Sequence, residues 1–192
     1  MPTINIPITQ AMIDRVHIFS EQVVDETYDR FNQDRQTRFD RIFVGKLGEL
    51  CLSHHLYNLT IRHDIHGMFE LYEGIENVDA FDFVVPNTHE TIDVKTAYKS
   101  FHSRILIPFG PNGQWDQMPK DFYVGVKLIG FPEEDGHIRI HGLNNVFASI
   151  YGYVPRNDDR WKGPNDFGEG PAMWIFLNKL APIQNLVNRM RQ

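Results

Sequence analysis

One cysteine in 192 residues, no long apolar run and no excess of positive charge narrow the field before any motif is read. Cys51 alone cannot close an internal disulfide or build a multi-thiolate zinc site, which removes disulfide-stapled scaffolds and structural zinc clusters. It sits among apolar residues and is expected in the core. No stretch approaches the roughly 18 consecutive apolar residues of a membrane-spanning helix, and Met1 to Gln10 carries no basic-then-apolar leader pattern. A cytoplasmic protein with no membrane partner is therefore expected. The formal net charge of -6 argues against a surface that is basic all over. It leaves room for a local basic groove, and a site that gathers carboxylates around a cation also makes the total negative. Internal repeats, low-complexity tracts and an interdomain linker are absent as well.

What is present is the ordinary mixture of a globular chain, 42% hydrophobic and 23% charged, long enough for one domain over 1–192. The pattern predicts helices over 8–57. Val24, Tyr28 and Phe31 recur at helical spacing in the first part, and Phe43, Leu47, Leu50 and Cys51 form a buried stripe on a helix from Arg41 to Tyr57. Glu49 lies off that stripe. Gly45 and Gly48 each cost about 1 kcal/mol in a helix interior, so some element or substrate backbone must come close to this helix. Arg30, Arg35, Arg38, Arg41 and Lys46 alternate with Asp25, Asp29, Asp34 and Asp40, which reads as a salt-bridged, solvated face.

Over 68–143 the period changes to short β-rich runs: Phe81–Val85, Thr91–Lys95, Ile105–Phe109, Phe122–Ile129 and Ile138–Leu143, separated by turn residues. The segment 144–192 is expected to be largely helical, with a short helix over Asn144–Ile150, a loop over Trp161–Gly170 and a closing helix over Ile183–Arg191. Helices, then strands, then helices imply an α/β protein with a mixed central sheet flanked by helices.

The chemistry concentrates in two of these runs. In an extended strand alternate side chains share a face, so Thr91, Asp93 and Lys95 point one way and Ile92 and Val94 the other. In the preceding run Phe81, Phe83 and Val85 form the apolar set, which leaves Asp82 on the opposite face with Val84. A hairpin centred on Asn87 and Thr88, with a two- or four-residue loop, sets Asp82 directly opposite Asp93; a three- or five-residue loop would slip that register. Facing carboxylates destabilise a strand pair unless something neutralises them. A divalent cation does so, and hard cations such as Mg²⁺ or Mn²⁺ want carboxylate and carbonyl oxygens, which two aspartates and the Val94 carbonyl offer. Lys95 adds a positive point charge able to orient or activate a water and to stabilise a crowded phosphoryl group.

Asp82, followed by Asp93-Val94-Lys95 on the next strand, resembles the signature of the PD-(D/E)xK nuclease superfamily, whose members share the restriction-endonuclease-like fold. Phe81 stands where the nominal motif has proline. The resemblance implies a third metal-binding carboxylate on the helix before the hairpin, and Gly45-Lys46-Leu47-Gly48-Glu49 is similar to that segment, with Glu49 in the ligand position. Asp121 to Lys127 resembles the family's next core strand. The implied activity is metal-dependent hydrolysis of nucleic-acid phosphodiesters, with DNA the expected substrate and endonucleolytic cutting the expected mode. A homodimer with two sites would explain duplex cleavage most simply.

Plainer readings stand beside these. Asp82, Asp93 and Lys95 as an exposed hairpin face with a salt bridge would contribute at most about 1 kcal/mol. Glu49 could pair with Lys46 on the helix surface. His54, His55, His63 and His66 invite a zinc reading, but no HExxH-type helix motif accompanies them. Lys46, Lys99, Arg104 and Lys127 are the candidate phosphate contacts. Trp115, Trp161 and Trp174, with Tyr151 and Tyr153, would stack on unpaired bases or pack in the core. Two rival functions remain: a nuclease-like module that binds nucleic acid or protein without cutting, and a metal-dependent hydrolase of another phosphate ester.

Overall fold

A computed structural model describes residues 3–25, 33–63, 68–69, 82–109, 120–168 and 170–192. The predicted features at Tyr28, Asp29, Arg30, Phe31, His66, Phe81 and Trp115 lie outside them. Strand β1 (Ile4–Pro7) leads into helix α1 (Gln10–Val23), whose start is capped by Thr9, with the side-chain oxygen accepting from the Met12 amide. Helix α2 (Arg35–Asn58) starts earlier than its apolar stripe suggests, because the Asp34 carboxylate caps it, accepting from the Thr37 amide at 2.9 Å and from the Thr37 hydroxyl. Arg35 pairs with Glu21 and Asp25, so that part of the expected salt-bridged face is present. Asp40 is instead buried and accepts from the His137 ring and the Ile138 amide. Phe39, Phe43, Leu47 and Cys51 line the buried side of α2, and burial pushes the Cys51 thiol up to about 12.

The strands that follow are β2 (Phe83–Val84), β3 (Thr91–Ala97), β4 (Arg104–Pro108), β5 (Phe122–Ile129), β6 (Glu133–Glu134), β7 (His137–Ile138), β8 (Phe147–Pro155), β9 (Lys162–Asp166) and β10 (Pro171–Phe176). Helix α3 (Ile183–Met190) closes the chain, as the sequence predicts. The central sheet has the order β1-β8-β5-β3-β2 and is mixed: β3 and β5 are parallel, the other neighbours antiparallel. A parallel pair needs a crossover connection. Here that connection includes β4, which belongs to a second sheet of order β4-β10-β9.

Two cores result. Val94, Val124, Val126 and Leu128 on one face of the central sheet pack with α1, α2 and α3. On the other face Tyr123 and Val154 pack with Ile105, Ile107 and Ile175 of the second sheet and with Trp161, Leu177 and Leu180. The protein is thus mixed α/β with a central sheet and three α-helices among the described residues, one face of that sheet being covered by strands.

The expected helical character of 144–192 is corrected. Asn144–Ile150 does not form a short helix; Phe147–Pro155 is a nine-residue strand, because it pairs on both sides, with β1 and β5. Lys162–Asp166 is a strand despite its polar, glycine- and proline-containing sequence. It is an exposed edge held by backbone pairing to β10, the position in a sheet where proline is tolerated. Ile138–Leu143 contributes only its first residue to a small hairpin, whose turn at Asp135-Gly136 has φ of 52° and 86°, as a two-residue loop of this kind requires.

The two glycines of α2 have opposite surroundings. A Cβ on Gly48 would lie 1.9 Å from Thr96 Oγ1 and 2.9 Å from Thr96 Cβ, whereas a Cβ on Gly45 would meet nothing within 4 Å. The element that approaches the helix is therefore β3, at Gly48. Gly45→Ala is expected to raise stability by about 0.5–1 kcal/mol. Gly48→Ala should lower it by about 1–3 kcal/mol through overpacking. Urea unfolding of the two variants checks this; the same sign for both would contradict the packing described.

Candidate active site

The hairpin has the register expected for a four-residue loop as far as Phe83, and Asp82 directly precedes the paired residues. Phe83 pairs with Ile92 and Val84 with Thr91, and the four-residue loop Pro86–His89 is closed by Val85 N–H to Glu90 O (2.8 Å) and His89 N–H to Val85 O (2.9 Å). Phe83, Val85 and Ile92 are fully buried, and Asp82, immediately before β2, is half-buried. The Asp82 amide donates to Ile92 O, and its carboxylate accepts from the Val94 amide at 2.6 Å, serving that strand donor as a ladder carbonyl would.

On β3 Asp93 and Lys95 share a face and form an ion pair, Nζ to Oδ2 2.6 Å, with the lysine side chain 34% and the aspartate side chain 15% exposed. Their parallel neighbours on β5 are Tyr123 and Gly125, which places both on the side of the sheet that the second sheet covers. Glu49 is buried on α2, in an ion pair of 2.8 Å with Lys46 three residues earlier. The surface pair expected as the plain alternative is thus formed, but inside the protein.

The electrostatics link these groups. Burial, then the charge of Glu49, then that of Asp93 push the Asp82 carboxyl well above the usual carboxylate range; the Val94 amide and the Lys46 ammonium pull the other way without reversing it. Asp82 is therefore a half-buried acid that resists ionisation as long as Glu49 and Asp93 are negative. Oxygen-only donors of this kind suit a hard divalent cation. Among the described residues no three His, Cys, Asp or Glu side chains are already drawn together as a metal cage. Glu49 is turned to Lys46 and Asp93 to Lys95.

The other predicted residues fall in several places. Lys99 pairs with Glu133 at 3.3 Å and lies over the Tyr98 ring. The Lys127 ammonium donates to the Ser100 and His102 carbonyls (2.9 and 2.8 Å), fastening the β3–β4 connection to β5. Arg104 is exposed on the second sheet. His54 is exposed, His55 is buried, and the His63 ring lies between the Ser53 hydroxyl and the Ile61 carbonyl. Trp161 is a core residue whose ring meets Tyr123 and whose N–H donates to Pro155 O. Trp174 lies in a cluster with Phe167, Phe176, Arg104 and Lys162 on the second sheet. Sequence reasoning missed that grouping because it took residues 161–170 for a loop. The β-rich Trp174-Ile175-Phe176 run was the available signal.

No family model, curated protein or solved structure matches this chain.

The raised Asp82 value fixes the sign of a pH effect. The folded chain holds this proton more tightly than the unfolded chain, so the group's stabilising share is present below about pH 4 and is lost as pH rises through the folded value. Asp82→Asn, whose amide oxygen can still accept the Val94 N–H, should melt at a higher temperature than wild type near pH 8 in EDTA. The gap should close as pH approaches 4. An equal or lower melting point at pH 8 would show that the crowding of negative charge is not felt.

Proposed function

We propose that the protein is a metal-dependent nuclease of the PD-(D/E)xK kind that hydrolyses phosphodiester bonds of nucleic acid, with DNA as the substrate to test first. The observation that carries the reading is Asp82, a carboxyl on which the charges of both Glu49 and Asp93 act, with Lys95 on the same strand face as Asp93. A hairpin that served only as a solvated surface would have no use for a half-buried carboxyl beside two others. The parallel strand β5 beside β3 and the helix α2 over it are the surroundings that the motif implies.

Asp82, Asp93 and Glu49, with the Val94 carbonyl, would hold Mg²⁺ or Mn²⁺. When bound, such an ion supplies Lewis-acid charge at the phosphoryl group and makes water easier to deprotonate. The rest falls to the chain's own groups. Lys95 presents a partly exposed ammonium from which it steadies the attacking water and the negative charge building on the phosphoryl oxygens. Water oxygen adds to phosphorus, the bond to the bridging sugar oxygen breaks, and that oxygen leaves with a proton. Asp93 and Glu49 now face lysines, so cation binding requires both carboxylates to exchange an ammonium for the metal. Lys46 and Lys95 are thereby released toward an incoming phosphate.

The test is incubation of wild-type and Lys95→Ala protein with linear, supercoiled and single-stranded DNA in Mg²⁺, Mn²⁺ or EDTA. Cleavage by the wild type that requires metal and falls on the order of 10²–10⁴-fold in the variant, with folding intact, is expected. No cleavage of any form, with equal DNA binding by both proteins, would favour a module that binds without cutting. Metal-dependent hydrolysis of a small phosphate ester without DNA binding would favour the other hydrolase class.

A further inference from the structure

The second sheet carries a surface that the proposed site does not use. Its inner side chains, Ile105, Ile107 and Ile175, are buried at 2% exposure or less. Strand alternation therefore turns the intervening residues outward, and the register groups them. Trp174 lies between Leu106 on one side and Lys162 on the other, and Phe176 lies opposite Arg104. The Arg104 guanidinium sits 4.9 Å from the ring centres of both Trp174 and Phe176 and 5.5 Å from that of Phe167. The Lys162 ammonium is 5.3 and 5.8 Å from Trp174 and Phe176. The rings meet edge to face, 5.1 Å between Trp174 and Phe176 and 6.1 Å between Phe167 and Trp174. The Trp174 N–H, bonded to Asn165 Oδ1 at 2.7 Å, fixes the orientation of the indole.

We infer that this outer face binds single-stranded nucleic acid, the bases stacking on the aromatic rings and the phosphates meeting Arg104 and Lys162. The substrate class rests on the nuclease reading above; the surface itself is argued from its own chemistry. Leu106 and Phe167 are 38% and 39% exposed, and Arg104 and Lys162 are exposed as well. Among the described residues neither cation is in an ion pair, and the carboxylate of the neighbouring Asp166 is engaged by the amides of Gly168 and Gly170. Two cations set among three aromatic rings complement a polyanion that also offers flat π faces. A duplex keeps those faces stacked inside and would meet only the two cations. In a chain of net charge -6 this is a local exception to the overall sign. The face is also tied to the candidate active site, since β4 follows β3 directly and Lys127 fastens the connection between them.

Fluorescence anisotropy with a labelled, mixed-sequence single-stranded DNA oligomer and its duplex, both in EDTA, tests this on the whole chain. Wild type should bind the single strand more tightly than the duplex. Arg104→Gln and Trp174→Ala should each weaken single-strand binding about ten-fold, while Trp174→Phe retains most of it. Circular dichroism shows whether Trp174→Ala is folded; if it is not, Arg104→Gln and Phe167→Ala decide. Unchanged affinity in the folded variants, or duplex preferred over single strand, overturns the inference. So does self-association of the wild type that the same variants abolish, which would give the face to a second copy of the chain. Metal-dependent cleavage with unchanged affinity in these variants would sink the stacking surface and leave the nuclease reading standing. Variant-sensitive binding with no cleavage under any metal would do the reverse.

Discussion

Where α2 crosses β3, Gly48 lies against Thr96 with no room for a single added carbon, and that separation decides what the next residue of the helix can do. Glu49 follows Gly48 directly, is buried, and acts electrostatically on Asp82 at the start of the hairpin. A helix held further from the sheet would place the same carboxylate beyond the distance at which charges interact strongly. The close crossing explains why a glycine is accepted in the middle of a 24-residue helix, and it brings the charge of Glu49 to bear on the hairpin.

The second constraint is the hairpin register. Its four-residue loop turns Phe83 and Ile92 into the core together and brings Asp82 close enough to Asp93 for the two charges to interact. Negative charge is thereby concentrated where burial makes it costly, and Lys46 and Lys95 offset only part of it. Local charge conflict of this kind is a functional signature where it occurs beside a cleft or groove. Here it is the observation behind the proposed cation site, in which the two lysines would give way to the ion.

Much of the site could be read from the sequence because it is local. Asp82 and Asp93 lie on either side of one short loop, so turn chemistry was enough to give the register of the hairpin, Phe83 against Ile92. Phe122–Ile129 and Ile183–Met190 were legible for the same reason, each having a continuous pattern of its own. The second sheet was not legible. Its strands are joined by backbone pairing between residues up to 72 positions apart, as for Arg104 and Phe176, and β9 has no apolar alternation because none of it is buried. Strand β8 was misread for a related reason: its first residues have weak local preference, and two neighbouring strands decide their conformation. The start of α2 at Arg35 did leave a signal, the Asp34 cap three residues before Thr37, which the apolar stripe alone does not contain.

The central proposal is that Asp82, Asp93 and Glu49 together take up a divalent cation. Titration of the metal-free protein with Mn²⁺, following the free ion by electron paramagnetic resonance, tests it without any assumption about substrate. The account predicts a single saturable site per chain that is strongly weakened in Asp82→Asn and Asp93→Asn and unaffected by Arg104→Gln. No saturable uptake by the wild type, or uptake that survives both aspartate substitutions undiminished, would contradict it.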